Sequence, residues 1–152
     1  MNEENGVFRQ FSSFFLLTSH FPSPGAPMRM PITSTDAPAA IGPYSQAVKA
    51  GGMLWCSGSL GLDPSKGVFV SEDTAAQAEQ CLRNLDAICR EAGTGLSKAV
   101  KCTIFLTNLA DFQAVNAVYA KWFEAPFPAR ATVQVSALPK GGKVEIDAVV
   151  EL

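Results

Sequence analysis

Apolar residues recur along this chain at two periods, and the switches between them mark its elements. Ala78, Cys81, Leu82, Leu85, Ile88, Cys89 and Ala92 fall three and four apart, the pattern of a helix with one apolar face. Thr74 and Gln77 have the spacing of a capping box at its start, and Gly93 is placed to end it. A second helical pattern covers about 109–123, with Phe112, Val115, Tyr119, Trp122 and Phe123 on one face and Asn108 as N-cap. Strand patterns occupy 45–50 and 53–59, separated by Gly51-Gly52, a pair suited to a two-residue hairpin turn. A turn over 63–67 leads to a short strand around 68–70, and Ala99–Leu106 reads as a strand between the helices. Residues 131–137 and 143–150 complete the set.

The resulting order is two or three strands, helix, strand, helix, and two strands. It predicts an α+β fold, a mixed sheet with two helices packed on one face. No segment remains to cover the other face, so oligomerisation is expected.

Alternation sorts the last two strands. Ala131, Val133 and Val135 share one face, and Arg130, Thr132, Gln134 and Ser136 the other. Val144, Ile146 and Ala148 are the apolar set of the final strand, with Glu145 and Asp147 opposite. Read as a hairpin with both apolar sets on one side, the pair needs an even loop, met by the four residues 139–142. Arg130 and Glu145 then share a face. Glu145 lies opposite Ser136, six residues from Arg130, or about 20 Å along the strand. One small substrate cannot touch both within a chain, so the two are expected to meet across a subunit interface.

Composition narrows the class. The chain has 152 residues and is 47% hydrophobic and 17% charged, ordinary for a globular protein. Residues 31–152 are read as a single domain. Residues 1–30 hold Phe8, Phe11, Phe14, Phe15 and Phe21, then Pro22, Pro24, Gly25 and Pro27, without a clean period. They are expected to be a disordered leader or a weak presequence. Glu3 and Glu4 are unusual in a targeting segment, and the apolar stretch at Leu16-Leu17 is too short for a signal peptide. A cytoplasmic location is therefore expected, with the mitochondrion or another organelle as the alternative. No apolar run is long enough to span a bilayer. A net charge of −2 and a pI near 5.3 weigh against broad nucleic-acid binding. The four cysteines, Cys56, Cys81, Cys89 and Cys102, lack CxxC spacing, and His20 is the only histidine. They read as reduced, mostly buried thiols rather than a zinc site.

The candidate chemistry gathers around FPARATVQV, residues 127–135. Pro126 and Pro128 stiffen the approach to Arg130, whose planar fork of donors matches a carboxylate. Glu145 supplies an acid on a neighbouring strand. Each candidate also has a structural use: a salt bridge for Arg130, a solvated strand position for Glu145, an edge plug for Tyr44 after Gly42-Pro43. Ser57 can cap a strand end, and no histidine or second base accompanies it as a nucleophile would require. Asn116 can make a structural hydrogen bond within its helix.

Several further stretches occur in a recognisable order: AAIGPYSQAV (39–48), CSG (56–58), AAQAEQCLRNL (75–85), DFQAVNAVYAKWF (111–123), FPARATVQV and LPKGGKVEIDAV (138–149). With them, residues 31–152 resemble the Rid family of reactive-intermediate imine deaminases; the first thirty residues have no counterpart. The resemblance implies a chorismate-mutase-like fold and a homotrimer with clefts between subunits. It implies hydrolysis of enamine/imine acids, released by pyridoxal-phosphate-dependent dehydratases, to 2-keto acids and ammonia, without metal or organic cofactor. Arg130 matches the arginine that grips the substrate carboxylate in active members. Tyr44, Ser57, Asn116 and Glu145 match other cleft residues, Glu145 as the one that holds or activates the attacking water. Thr132 stands where bacterial members often carry cysteine, so a backbone contact there survives while a thiol role does not. Some relatives are described as endoribonucleases or translation inhibitors, and members lacking the arginine as non-catalytic binding or chaperone-like trimers.

Overall fold

The computed structural model describes residues 29–152. The expected leader lies outside the described residues but for its last two positions. Six strands, β1 (Met30–Ile32), β2 (Ala47–Ala50), β3 (Met53–Leu60), β4 (Ala99–Leu106), β5 (Ala129–Gln134) and β6 (Val144–Glu151), form one mixed sheet in the order β1-β2-β3-β6-β4-β5. Helices α1 (Thr74–Glu91) and α2 (Phe112–Tyr119) pack on one of its faces. The α+β class and the helix placement are as the sequence predicts.

Local signals place most elements. β2 and β3 pair antiparallel with Ala50 opposite Met53, and Gly51 and Gly52 take the positive φ angles, 60° and 76°, that a tight hairpin needs. The whole predicted apolar face of α1 is buried. Its start differs from the expected capping box. Asp73 is the N-cap, its carboxylate accepting from Ala76 N at 2.8 Å, while the Gln77 side chain turns inward. Gly93 ends the helix, its N–H donating to Arg90 O. The second helix is shorter than predicted: a 3-10 turn, Leu109–Asp111, precedes α2, and the Asn108 side chain caps that turn. Residues 68–70 make only one bridge, Phe69 to Leu62, and the additional strand is β1.

The largest departure concerns the last two strands. They do not form a hairpin. β6 runs antiparallel between β3 and β4, and β5 pairs parallel with β4 at the sheet edge. The β4–α2–β5 segment is a crossover unit, and a helix between consecutive strands favours parallel pairing over a hairpin.

The core lies between the helices and the sheet. Leu54, Leu82, Leu85, Leu96, Ile104, Leu106, Val144, Ile146 and Val150 are fully buried there. Each such side chain contributes about 1.5–3 kcal/mol on burial. The opposite face keeps Trp55 at 52% exposure and Val133 at 43%. Cys81, Cys89 and Cys102 are buried, Cys56 is half-buried, and all four are free thiols. Among the described residues no helix is long and apolar enough to cross a membrane.

Candidate functional site

The strand registers assign every candidate to a face. Arg130 lies beside Cys102 on β4, which lies beside Ala148 on β6; Thr132 continues to Ile104 and Ile146. Cys102, Ala148, Ile104 and Ile146 are core residues, so Arg130 and Thr132 point to the helix-covered side. Val133 lies beside Phe105, which lies beside Glu145. Glu145 therefore projects from the open face. The expectation that Arg130 and Glu145 share a face is wrong, because β4 separates their strands and β5 is inverted relative to the hairpin reading. Their rows are three residues apart, about 10 Å along the strands, and two strand spacings apart, about 10 Å across. With the sheet itself between them, they cannot meet within the chain.

The candidates fall instead into two groups. The first surrounds Arg130. A surface pocket of about 380 Å³ is lined by Arg130, Asn116, Tyr119, Ala120, Phe127 and Pro128. The guanidinium carbon sits 4.7 Å from the Tyr119 ring centroid and 5.8 Å from that of Phe112. No carboxylate among the described residues lies within ion-pair distance of Arg130. The Thr132 hydroxyl, buried near this group, has no hydrogen-bond partner, and the Tyr119 hydroxyl lies beside the Cys102 thiol.

The second group surrounds Glu145. A pocket of about 280 Å³ is lined by Ile41, Tyr44, Ser57, Gly58, Leu60, Pro139 and Glu145. Gly58 is what lets the acid lie down on β3, for a Cβ there would collide with Glu145 Oε1. Ser57 Oγ donates to Ser45 O at 2.7 Å, so its hydroxyl is committed to the backbone rather than to a base. Tyr44 is half exposed, and its hydroxyl accepts only a long contact, 3.4 Å, from Ile41 N.

Three buried amides hold this second pocket in shape. Gln46 Nε2 donates to Pro38 O at 2.7 Å while its oxygen accepts from Ser34 N at 2.6 Å, which fixes the segment leading to Tyr44. Asn84 Nδ2 donates to Leu60 O and Leu62 O, and Gln77 Oε1 accepts from Lys143 N at 3.0 Å just before β6. Sequence reasoning did not single out Gln46 or Asn84. A polar residue at a core position of a helical repeat, as Asn84 is beside Leu85, was the available signal. Phe112 and Tyr119 were read only as apolar helix positions; their contact with Arg130 follows from β5 lying under α2.

Burial, and after it the charge of Asp147 on the same face of β6, hold the Glu145 carboxyl above its ordinary value of 4.5. A carboxyl whose pKa is higher folded than unfolded weakens the fold where both states are ionised. The penalty disappears as pH falls below the unfolded value, where both are protonated. Glu145→Gln is therefore expected to melt above wild type near pH 8, with the gap closing toward about pH 4. Calorimetry at the two pH values checks this, and an equal gap at both would exclude a buried charge as its cause.

Among the described residues no group of three His, Cys, Asp or Glu side chains could hold a metal ion. The arrangement offers a fork of donors in one pocket and a carboxyl with a tyrosine hydroxyl in the other.

Comparison with known proteins agrees with this fold. A family model described as endoribonuclease L-PSP matches residues 34–152. The chain is 57% identical over 122 residues to the RutC family protein y4sK of Sinorhizobium fredii, covering 80% of this chain and 97% of that one. It is 46% identical over 122 residues to the 2-iminobutanoate/2-iminopropanoate deaminase of Homo sapiens, covering 80% of this chain and 89% of that one. The crystal structure of RidA from the Antarctic bacterium Psychrobacter sp. PAMC 21119 superposes with a TM-score of 0.78 at 47% identity, over 81% of this chain and 99% of that one. With a matched segment that spans β2 to β6, both helices and both pockets, the chain belongs to the Rid (YjgF) family, the group described by the endoribonuclease L-PSP model.

Proposed function

We propose that this protein hydrolyses small 2-imino acids, such as 2-iminopropanoate and 2-iminobutanoate, to 2-keto acids and ammonia. The reaction takes place in a cleft between subunits of a homotrimer. The observation that carries the reading is the division of the candidate residues between two pockets on opposite faces of one sheet, each holding half of what the reaction needs. A cleft that joins the Arg130 pocket of one subunit to the Glu145 pocket of the next supplies the whole set. The apolar open face, with Trp55 and Val133 exposed, is a surface that such an assembly covers. The deaminases among the relatives support the substrate class.

The chemistry asks little of the protein. Arg130 takes the substrate carboxylate with its fork, and Asn116 and Thr132 line the same side. A water beside Glu145 and Tyr44 adds to the imine carbon. Its proton passes to the imine nitrogen by way of the Glu145 carboxyl, giving a tetrahedral carbinolamine. The Glu145 carboxyl then carries the hydroxyl proton to the amine, the C–N bond breaks, ammonia leaves, and the C2 oxygen becomes the ketone. A carboxyl with a raised pKa exchanges that proton more readily near neutral pH than an ordinary one. Ser57 shapes the wall through its bond to Ser45 O. No step calls for a metal or organic cofactor. The supply of imine falls to pyridoxal-phosphate-dependent dehydratases, whose products are unstable enamines. Cytoplasm is the compartment we propose, and an organelle follows if the leader directs import.

A dehydratase acting on serine or threonine, with semicarbazide trapping the free imine, tests the activity. Added protein is expected to lower semicarbazone formation and raise 2-keto acid in proportion. Unchanged semicarbazone over a range of protein concentrations, with RNA cleaved in a parallel incubation, would favour the ribonuclease reading in the family model's description. A net charge of −2 supplies little attraction for a phosphate backbone. Inactivity in both incubations would point to a non-catalytic binding or chaperone-like trimer.

A further inference from the structure

We propose that Phe112 and Tyr119 are positioning residues for Arg130, holding the guanidinium on their rings so that its donor edge is set before a carboxylate arrives. This rests on the reading of Arg130 as the carboxylate-binding residue. The guanidinium is poorly hydrated on its faces and well hydrated on its edges, so aromatic rings take the faces and leave the edges free. Here both rings come from α2, at 4.7 and 5.8 Å, and no carboxylate among the described residues competes for the edges. The remaining exposed side of the group looks into the pocket with Asn116 and Phe127.

The rings are themselves fixed. Tyr119 is 5% exposed and packs against the Phe123 ring at 4.5 Å between centroids. Phe112 opens α2 directly after a turn tied on two sides. Leu109 N donates to Gln134 Oε1 of β5 at 2.8 Å, and Thr74 Oγ1 of α1 donates to Asp111 Oδ2 at 2.7 Å. α2 is thus anchored both to the strand that carries Arg130 and to the neighbouring helix. The Tyr119 hydroxyl lies beside the buried Cys102 thiol, which leaves the ring as the part that meets the guanidinium.

Steady-state kinetics on 2-iminopropanoate test the idea with Phe112→Leu, Tyr119→Leu and Tyr119→Phe. Each leucine variant is expected to raise KM about three- to tenfold with kcat changed less than about twofold, and Tyr119→Phe to stay within about twofold of wild type in both. KM values for both leucine variants within twofold of wild type would overturn the proposal. So would a Tyr119→Phe defect equal to that of Tyr119→Leu. If Tyr119→Leu melts early, Phe112→Leu and its rescue by Phe112→Tyr decide the matter, because Phe112 is only half-buried. Arg130→Ala in the same assay separates the two levels. A normal rate there removes the reading of the site and the clamp with it. An inactive Arg130→Ala beside ring variants of normal KM removes the clamp alone.

Discussion

Arg130→Ala is expected to lower kcat/KM for 2-iminopropanoate by about 10²- to 10³-fold, the worth of a bidentate, charge-assisted pair of hydrogen bonds. Melting should shift by no more than a few degrees, because Arg130 is exposed and forms no ion pair among the described residues. The change removes its stack on Tyr119 and Phe112. Arg130→Lys retains the charge and loses the fork, so it should fall between wild type and alanine. The dehydratase-coupled assay and a thermal melt on the same samples check the pair of outcomes. A normal rate for Arg130→Ala would remove the carboxylate role, and a collapsed melt would make the arginine structural.

The parts of this fold legible in the sequence are those decided locally. α1 buries the face its spacing marked, and Gly51-Gly52 turns the chain where a pair of positive φ angles is needed. Alternation along β5 was also read correctly, since Arg130 and Thr132 do oppose Ala131 and Val133. What failed was the reading that the apolar sets of the last two strands share one side. Val133 was set on the side of Ile146 because both are apolar, but Ile146 is buried in the core and Val133 is 43% exposed on the open face. Apolar character cannot distinguish a face covered by a helix from one suited to another subunit. Strand adjacency failed for a related reason: periodicity says nothing about which strand lies beside which. The signal for the correct pairing was present in the strand–helix–strand order from β4 to β5, which favours a parallel neighbour. The candidate residues could be named one by one from the sequence. Their grouping could not, since the positions of Tyr44, Ser57 and Glu145 relative to one another depend on β6 entering the sheet between β3 and β4.

Mixing Arg130→Ala with Glu145→Ala protein should restore activity that neither variant has alone. The hairpin geometry first suggested this through a separation along one face, and the observed sheet strengthens it by putting the two residues on opposite faces. In a cyclic assembly each cleft takes Arg130 from one subunit and Glu145 from the next. After random reassembly from equal amounts, half of the clefts receive an intact arginine, and half of those an intact acid. About a quarter of the clefts are then complete, so the mixture should approach about a quarter of wild-type activity. The fraction is independent of how much each single substitution costs, provided both parents are inactive. Native mass spectrometry establishes that subunits have exchanged, and the coupled assay reads the recovery. Activity that stays at the parental level in proven hybrids would mean that each cleft draws both residues from one chain, which this sheet does not allow, or that Glu145 lies outside the cleft. A double variant, Arg130→Ala with Glu145→Ala, mixed with wild type separates those cases from a general loss on mixing. Random exchange leaves a quarter of its clefts with both residues intact, so the two mixtures should match only if the site is shared.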